Sequence, residues 1–197
     1  ESRDTTHYSI IDSEGNAVSN TYTLGYSFGS GVTIPGTGIL MNNQMNNFAY
    51  RYGDKKERGR GASTGNRFEP GKNPMSTMAP TMIFNKEGEL VLVTGSPGGS
   101  LIPAAILRVI TGIIDFDLDI GQATMLPRVH KDWPKTGILY ERTVNSDVVR
   151  IINKRIGHKM TPEHTMGSTQ SIHIIDGVNY GYADLRRPGA SVSIQEN

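Results

Sequence analysis

The chain has 197 residues, a formal net charge of +1 and no cysteine. Its length allows one domain with a sizeable core, and a content of 36% hydrophobic and 20% charged residues is typical of a globular protein. The near-neutral charge gives no reason to expect nucleic acid or an anionic membrane as a partner, no apolar run of about 18 residues predicts a membrane span, and the lack of cysteine excludes disulfides and thiol catalysis.

The N-terminal third of the chain predicts a β-hairpin followed by irregular structure. Residues 7–12 and 17–24 form two strand patterns around a polar turn at 13–16. A glycine-punctuated stretch over 28–38 follows, and from 49 to 73 basic residues lie among glycines without any apolar period. A structureless stretch of that length suggests a lid-like loop, and its charge is most simply explained as a solvated surface.

The remainder of the chain alternates between strand and helix patterns. A second hairpin is predicted for 81–84 and 90–94, a buried helix for 101–114, and a shorter helix beginning at 120–125. Helical spacing recurs over 144–156, and strands are predicted for 171–175 and 178–182. The order of strands, helices and strands, without an internal repeat or linker, predicts an α+β or layered fold in one domain.

A threonine-rich segment begins the first strand, at residues 5–9 (TTHYS). A threonine hydroxyl becomes a useful nucleophile when a base lies in hydrogen-bond reach, and a terminal α-amine with a pKa near 8 can be that base. Thr5 would carry such an amine only if the bond between Asp4 and Thr5 were cut. The alternative is a strand start rich in β-branched residues, with His7 as a packed or surface histidine.

A glycine-rich segment at 95–100 (GSPGGS) lies between a predicted strand and a predicted helix. Backbone N–H groups at such a helix start have no intrahelical partner and suit a phosphate or a developing oxyanion. The segment lacks the lysine of a P-loop and the spacing of the dinucleotide fingerprint. The alternative is a tight strand-to-helix turn.

Several short runs of uncharged polar residues are typical of turns, and they would also suit a substrate with amide, carboxylate and ammonium groups. They comprise Gln44, Asn46, Asn47, Ser76, Thr77, Ser168, Thr169 and Gln170. There is no HExxH motif, calcium-type acidic loop or evident carboxylate pair, so neither a metal nor a cofactor is expected.

Seven segments together resemble the gamma-glutamyltranspeptidase family, in order and over almost the whole chain. They are 5–9, 21–24 (TYTL), 38–45 (GILMNNQM), 74–81 (PMSTMAPT), 94–100 (TGSPGGS), 166–171 (MGSTQS) and 184–190 (DLRRPGA). Any one of these segments is weak evidence, whereas seven in register are strong evidence.

The resemblance implies an α+β fold, the four-layer αββα sandwich of N-terminal-nucleophile hydrolases, completed by a large subunit from the same precursor. That precursor cleaves itself before the first threonine of the TTH motif. Residues 1–4 would therefore lie on the precursor side, and 5–197 would be a single catalytic small-subunit domain with its lid at 49–73. By family analogy the protein is periplasmic or secreted.

The resemblance also assigns the site. Thr5 maps to the nucleophile, Thr23 to the residue that positions it, and Gly98 and Gly99 to the oxyanion hole. The residues that map to contacts with the glutamyl α-carboxylate and α-amine are Gln44, Ser76, Thr77 and the positions of Gly25 and Asn47. The implied activity is ping-pong acyl transfer from gamma-glutamyl amides such as glutathione-like compounds to water, an amino acid or a peptide.

Two departures from the family pattern bear on the acyl group. Gly25 replaces a usual asparagine, and Asn47 replaces a usual aspartate, which removes a carboxylate from the expected ammonium contact; a buried ammonium without its counter-ion costs several kcal/mol. One alternative is therefore an acylase for glutaryl-like amides, as in related cephalosporin acylases. A second is a non-catalytic homologue. In the lid, Arg58 lies close to the place where the family has a tyrosine.

Overall fold

The computed structural model describes residues 5–49, 64–132 and 137–194. Residues 50–63 of the predicted lid, with Arg58, lie outside the described residues. The chain forms two compact units. Of the described residues, the first unit contains Thr5, 22–49 and 64–77, and the second contains 6–21, 78–132 and 137–194.

The predicted N-terminal hairpin is confirmed. Strands β1 (Thr5–Ile11) and β2 (Ala17–Thr23) form a two-stranded sheet. The Asp12 N–H donates to the Asn16 carbonyl at 3.0 Å, and the Asp12 carboxylate accepts the Asn16 N–H at 2.8 Å. Gly15 has a φ of +85°, a backbone conformation that favours glycine, so the turn follows directly from the sequence.

The first unit is built mainly from loops. Two 3-10 turns, Gln44–Asn47 and Thr64–Asn66, are its regular elements among the described residues. The rings of Phe48 and Phe68 meet edge to face at 5.4 Å between centroids, and the Phe48 side chain is buried. Ala49, next to Phe48, is also buried, so this part of the unit has an apolar centre.

The second unit adds seven strands and three α-helices in the described ranges. In chain order they are β3 (Thr81–Phe84), β4 (Leu90–Thr94), α1 (Ile102–Ile114), α2 (Ile120–Met125), β5 (Val129–His130), β6 (Ile138–Glu141), α3 (Ser146–Ile151), β7 (Met160–Glu163), β8 (Gln170–Ile175) and β9 (Val178–Ala183).

The main sheet is antiparallel with strand order β3-β4-β8-β9. Its core joins Leu92 of β4 to side chains of α1 and α2, namely Val109, Ile113, Ile120 and Ala123. A Cβ on Gly112 would lie 2.9 Å from the Ala123 Cβ, so the absence of a side chain lets the two helices approach closely. The predicted second hairpin, the helices at 101–114 and 120–125, and the C-terminal strand pair are confirmed.

A second, three-stranded sheet was not predicted from the sequence. Strand β6 pairs antiparallel with β5 and parallel with β7. The predicted helix over 144–156 is confirmed as α3 followed by a π-helical turn, Ile152–Ile156, which ends at Gly157 with a φ of +82°. The part of the chain that the structure describes holds no helix with the length and apolar character needed to cross a bilayer.

Candidate active site

Thr5, the predicted nucleophile, is the first residue of β1, and its side chain is 5% exposed. Its hydroxyl donates to Thr23 Oγ1 at 3.1 Å, and the Gly25 N–H donates to the same oxygen at 2.9 Å. Thr23 is the last residue of β2, so the pairing of β1 with β2 brings the two threonines together. The first unit therefore brings Thr5, Thr23 and Gly25 together.

Gly25 occupies a position where a side chain would be strained and would displace a neighbouring one. Its φ is +93°, and a Cβ built on it would overlap the side-chain oxygen of Asn43. The Asn43 amide thus fills the space that an asparagine at position 25 would need. Asn43 was not singled out from the sequence, because nothing in a run of asparagines indicates which one turns toward a glycine eighteen residues earlier.

The neutral polar group of the first unit comprises the predicted substrate-binding side chains Gln44, Asn47, Ser76 and Thr77. Asn47 Nδ2 donates to Gln44 Oε1 at 2.7 Å, and both side chains are half-buried. Ser76 is exposed and Thr77 is half-buried. No carboxylate takes part in the contact between Asn47 and Gln44, which are held by an amide-to-amide hydrogen bond.

Asn66 connects two parts of this polar group and was missed by sequence reasoning. Its Nδ2 donates to the Asn47 carbonyl at 2.7 Å, and its Oδ1 accepts the Met75 N–H at 3.1 Å. Asn66 therefore fixes the backbone at Asn47 relative to the backbone just before Ser76. Both partners are main-chain groups, which leave no signal in the side-chain sequence.

In the second unit, the predicted strand–turn–helix arrangement at 95–100 is confirmed. Gly98 has a φ of 141° and a ψ of 14°, and Gly99 has a φ of 55°. Such conformations favour glycine. The 3-10 turn Gly99–Leu101 leads directly into α1, so the N–H groups of Gly98 and Gly99 precede a helix start, where the dipole favours negative charge.

Residues 167–170 contact the segment before Gly98 and bind it through hydrogen bonds. The Gln170 N–H donates to the Gly95 carbonyl at 3.1 Å, and the Ser168 N–H donates to Ser96 Oγ at 2.9 Å. A Cβ on Gly167 would lie 2.6 Å from Ser96 Oγ, so only glycine allows this approach. Sequence reasoning grouped Ser168 and Gln170 with the polar runs but did not link them to Ser96.

His7 is a packed histidine, which is the alternative that the sequence left open. Ser9 Oγ donates its proton to the Gln170 carbonyl at 2.8 Å, so at its 3.2 Å contact with His7 Nε2 it accepts a hydrogen bond. His7 Nε2 therefore carries the proton, and Nδ1 accepts from the Thr21 hydroxyl at 2.8 Å. A Cβ on Gly95 would overlap the imidazole.

Burial lowers the pKa of His7 to about 4, so the ring is neutral at neutral pH. Both ring nitrogens are already engaged in hydrogen bonds. The residue consequently supports the fold around Gly95 and offers no free base.

A buried network of two arginines and two carboxylates underlies the 166–170 segment. Arg128 pairs with Asp184 at 2.7 Å, and Arg186 pairs with Glu141 at 2.7 Å. The Arg128 guanidinium also donates to the Met166 carbonyl at 2.6 Å, and Glu141 Oε1 accepts the Met166 N–H at 2.9 Å. Both main-chain groups of Met166 are thereby fixed by buried charges.

Within the described ranges, no three His, Asp or Glu side chains gather in a way that could hold a metal ion. The groups described at Thr5, Thr23, Gly98 and Gly99 are hydroxyls and backbone N–H donors.

Comparison with known proteins gives a consistent family. The family model described as gamma-glutamyltranspeptidase matches residues 1–194. The glutathione hydrolase proenzyme of Escherichia coli (strain K12) is 41% identical over 187 residues, which cover 94% of this chain and 32% of that protein. The acylase ACY 1 proenzyme of Pseudomonas sp. (strain SE83) is 36% identical over 197 residues, or 98% of this chain and 33% of that protein.

A solved structure is also similar. A mutant of Helicobacter pylori gamma-glutamyltranspeptidase matches with a TM-score of 0.83 and 36% identity, covering 92% of this chain and 100% of that chain. The chain thus spans about a third of the length of the two curated relatives, at 32% and 33%, but the whole of the matched chain in that structure.

Proposed function

This chain belongs to the gamma-glutamyltranspeptidase family, and from that premise we propose that it is the catalytic small subunit of an amidohydrolase or acyltransferase that cleaves gamma-glutamyl amide bonds. The observation that carries the proposal is the buried hydroxyl of Thr5, which is held at 3.1 Å from Thr23 Oγ1 at the start of a strand. A hydroxyl in a fixed position at a strand start is what a terminal threonine nucleophile requires.

Maturation comes first: the Thr5 hydroxyl attacks the Asp4 carbonyl, the peptide nitrogen leaves as the α-amine of Thr5, and water hydrolyses the ester that results. The freed α-amine, with an ordinary pKa near 8, can accept the proton of the Thr5 hydroxyl. The 3.1 Å contact with Thr23 Oγ1 holds the Thr5 oxygen in place, and the hydroxyl proton, which is directed at Thr23 here, turns to the freed α-amine before attack. Nucleophile and base then belong to one residue, so their distance is fixed by covalent geometry.

Acyl transfer follows in two steps. Thr5 Oγ1 bonds to the amide carbon and its proton passes to the α-amine, while the N–H groups of Gly98 and Gly99 stabilise the oxyanion. The carbon–nitrogen bond then breaks, the amine returns the proton to the leaving group, and a threonyl ester remains. Water or the amine of an amino acid or peptide attacks that ester and regenerates Thr5.

The proposal includes a large subunit from the same precursor that completes a four-layer αββα sandwich. It is supported by the coverage, since curated proenzymes are matched over about a third of their length whereas a solved chain is matched over 100%. It is also supported by exposed apolar side chains that such a subunit would cover, among them Phe84, Leu107, Ile114 and Phe116. We further propose a periplasmic or secreted location.

An alternative acyl group has its own support. Asn47 provides no carboxylate to pair with an α-ammonium, and its amide donates to Gln44. A glutaryl-like chain, which has no ammonium, would lose nothing at this position. The 36% identity to an acylase proenzyme favours retaining this second candidate.

The test compares Thr5→Ala with Thr6→Ala in the full-length protein. Thr6 is adjacent but exposed, so it is a matched control. We expect Thr5→Ala to leave the Asp4–Thr5 bond intact by mass spectrometry and to lower hydrolysis of a gamma-glutamyl anilide by about 10⁴ or more. Thr6→Ala should mature and retain activity.

Fully active protein with an uncut Asp4–Thr5 bond, or a mechanism-based inhibitor attached to another side chain, would overturn the proposal. So would hydrolysis that survives in Thr5→Ala. A non-catalytic homologue would instead show no hydrolysis in the wild type, and Thr5→Ala would leave its function unchanged. The ratio of kcat/KM on gamma-glutamyl and glutaryl anilides decides between the two acyl classes.

A further inference from the structure

Ser96 lies two residues before Gly98 and is completely buried, at 0% exposure. Its hydroxyl donates to the carbonyl of the next residue, Pro97, at 2.6 Å. The same oxygen accepts the Ser168 N–H at 2.9 Å. A serine hydroxyl has a single proton, and here that proton is directed at the peptide unit that links Pro97 to Gly98.

We propose that Ser96 is a positioning residue that sets the direction of the Gly98 N–H, and this inference rests on the proposed role of Gly98 in the oxyanion hole. A non-proline peptide unit is planar and trans, so its C=O and N–H point in opposite directions. A hydrogen bond that fixes the Pro97 carbonyl therefore also fixes the Gly98 N–H. Ser96 thereby acts on the donor without contacting the substrate.

The turn needs such a restraint because Gly98 cannot supply one. Its φ of 141° lies in a region that L side chains rarely adopt, and glycine has no Cβ to limit rotation of the neighbouring peptide. An unrestrained peptide unit could rotate its N–H away from a developing oxyanion. Electrostatic stabilisation is effective when the donors are already oriented before charge develops.

Ser96 is in turn held by an anchored segment. The Thr169 N–H donates to Asp184 Oδ2 at 3.0 Å, and Asp184 pairs with Arg128 at 2.7 Å. Gly167, with a φ of +72°, brings the backbone close enough for the Ser168 N–H to reach Ser96. The orientation of the Gly98 N–H is thus tied, through three hydrogen bonds, to a buried ion pair.

The geometry argues against a direct chemical role for Ser96. Its side chain is inaccessible, its proton is committed to Pro97, and its oxygen already accepts a backbone N–H. A nucleophile or proton donor must reach the substrate, and this hydroxyl is oriented into the protein.

The test is Ser96→Ala in the full-length protein, with Ser171→Ala as the control. Ser171 is also buried and makes an equally short contact, 2.6 Å to Thr94 Oγ1, but it is not bonded to the 95–99 turn. We expect Ser96→Ala to lower kcat on a gamma-glutamyl anilide by about 10- to 100-fold, somewhat less than complete loss of an oxyanion donor, with KM within about twofold. The rate of Thr5 acylation, followed by rapid-quench mass spectrometry, should fall by the same factor.

Ser171→Ala should keep kcat within about threefold of the wild type. Equal effects of the two substitutions on kcat, or a loss in Ser96→Ala that falls on KM alone, would show that Ser96 is merely structural. If Ser96→Ala fails to fold, Ser96→Cys, whose thiol is a weaker donor, is expected to show a reduced kcat with unchanged KM; a wild-type kcat in that variant overturns the inference.

The two levels of proposal fail differently. A wild-type enzyme that is never acylated at Thr5 overturns the proposed function and this inference with it. A wild-type enzyme that is acylated at Thr5, together with Ser96→Ala acylated as fast as Ser171→Ala, overturns the positioning role alone.

Discussion

The two units that hold the predicted site residues are built in opposite ways. In the first unit, apart from the buried Thr5, the predicted site side chains are half-buried or exposed, and neutral amides such as Gln44, Asn47 and Asn66 make its hydrogen bonds. In the second unit, the frame behind Gly98 consists of buried hydroxyls and ion pairs, with Asp184 at 0% and Arg128 at 1% exposure. Substitution of a partly exposed neutral amide should therefore cost little stability, whereas removal of one member of a buried ion pair should cost much more.

Removing the counter-ion of Arg128 should lower the stability of that frame more than any other substitution considered below. Asp184→Asn leaves the Arg128 guanidinium buried without its counter-ion, and removing one partner of a buried pair costs about 3–5 kcal/mol. The control is Asp147→Asn, which breaks an exposed pair with Arg150 at 2.8 Å and should cost at most about 1 kcal/mol. The free energy of unfolding from urea titration measures both, and equal losses would contradict the contrast between frame and surface.

A slightly smaller effect is expected in catalysis. Gly98→Ala forces a φ of 141° on an alanine and displaces a proposed oxyanion donor, so kcat should fall by about 10²–10³. Gly88→Ala imposes a comparable strain, at a φ of +85°, in the open turn between β3 and β4 and should leave kcat unchanged. A similar kcat for the two variants would remove Gly98 from the proposed mechanism.

The second unit also contains a buried histidine, His7, which makes the stability of the protein depend on pH. Burial lowers the pKa of His7 from 6.5 to about 4. Between these two pH values His7 is protonated in the unfolded chain but not in the folded protein. This group therefore reduces stability as the pH falls from 6.5 to 4, by about 3 kcal/mol in total at 1.36 kcal/mol per pKa unit. At higher pH the stabilisation is complete.

His7→Gln should make the free energy of unfolding less dependent on pH between 6.5 and 4. Urea unfolding of both proteins across that range provides the measurement. Parallel curves for the wild type and the variant would mean that His7 titrates normally in the folded protein.

A smaller change, in the preference for the acyl group, is expected from a substitution at Asn47 in the neutral polar group. Asn47→Asp places a carboxylate in the neutral polar group and should raise the preference for gamma-glutamyl over glutaryl anilide by about tenfold, with little change in stability. Asn46→Asp adds the same charge at the exposed neighbouring position and should not change the preference. Identical kcat/KM ratios for both variants would mean that charge at position 47 does not select the acyl group.

Short sequence patterns predicted those elements whose structure depends on residues adjacent in the chain. The hairpin turn at Asp12 and the apolar helix α1 are determined by adjacent residues, and both were predicted. The small sheet was not, because β5 has only two residues, Val129–His130, and β6 pairs with a strand about twenty residues later. Such pairing depends on tertiary packing that no short window contains.

The same distinction applies to the site. The motifs around Thr5 and Gly98 are local and were recognised, although the roles of their residues remain predictions. Asn66 was missed because its partners are backbone groups. Arg128 and Glu141 were missed because their charged partners, Asp184 and Arg186, lie 56 and 45 residues away in the sequence. Only the folded chain shows that Ser96 and Ser168 meet.

The Asn43 amide that overlaps the space beside Gly25 has an evolutionary consequence. An asparagine introduced at position 25 alone would collide with it, so the two positions are epistatic and their substitutions will not be additive. A lineage, or a laboratory selection, that introduces asparagine at position 25 must also turn the Asn43 side chain out of that space. The cost of the substitution therefore depends on which rotamers the rest of the chain leaves open to Asn43.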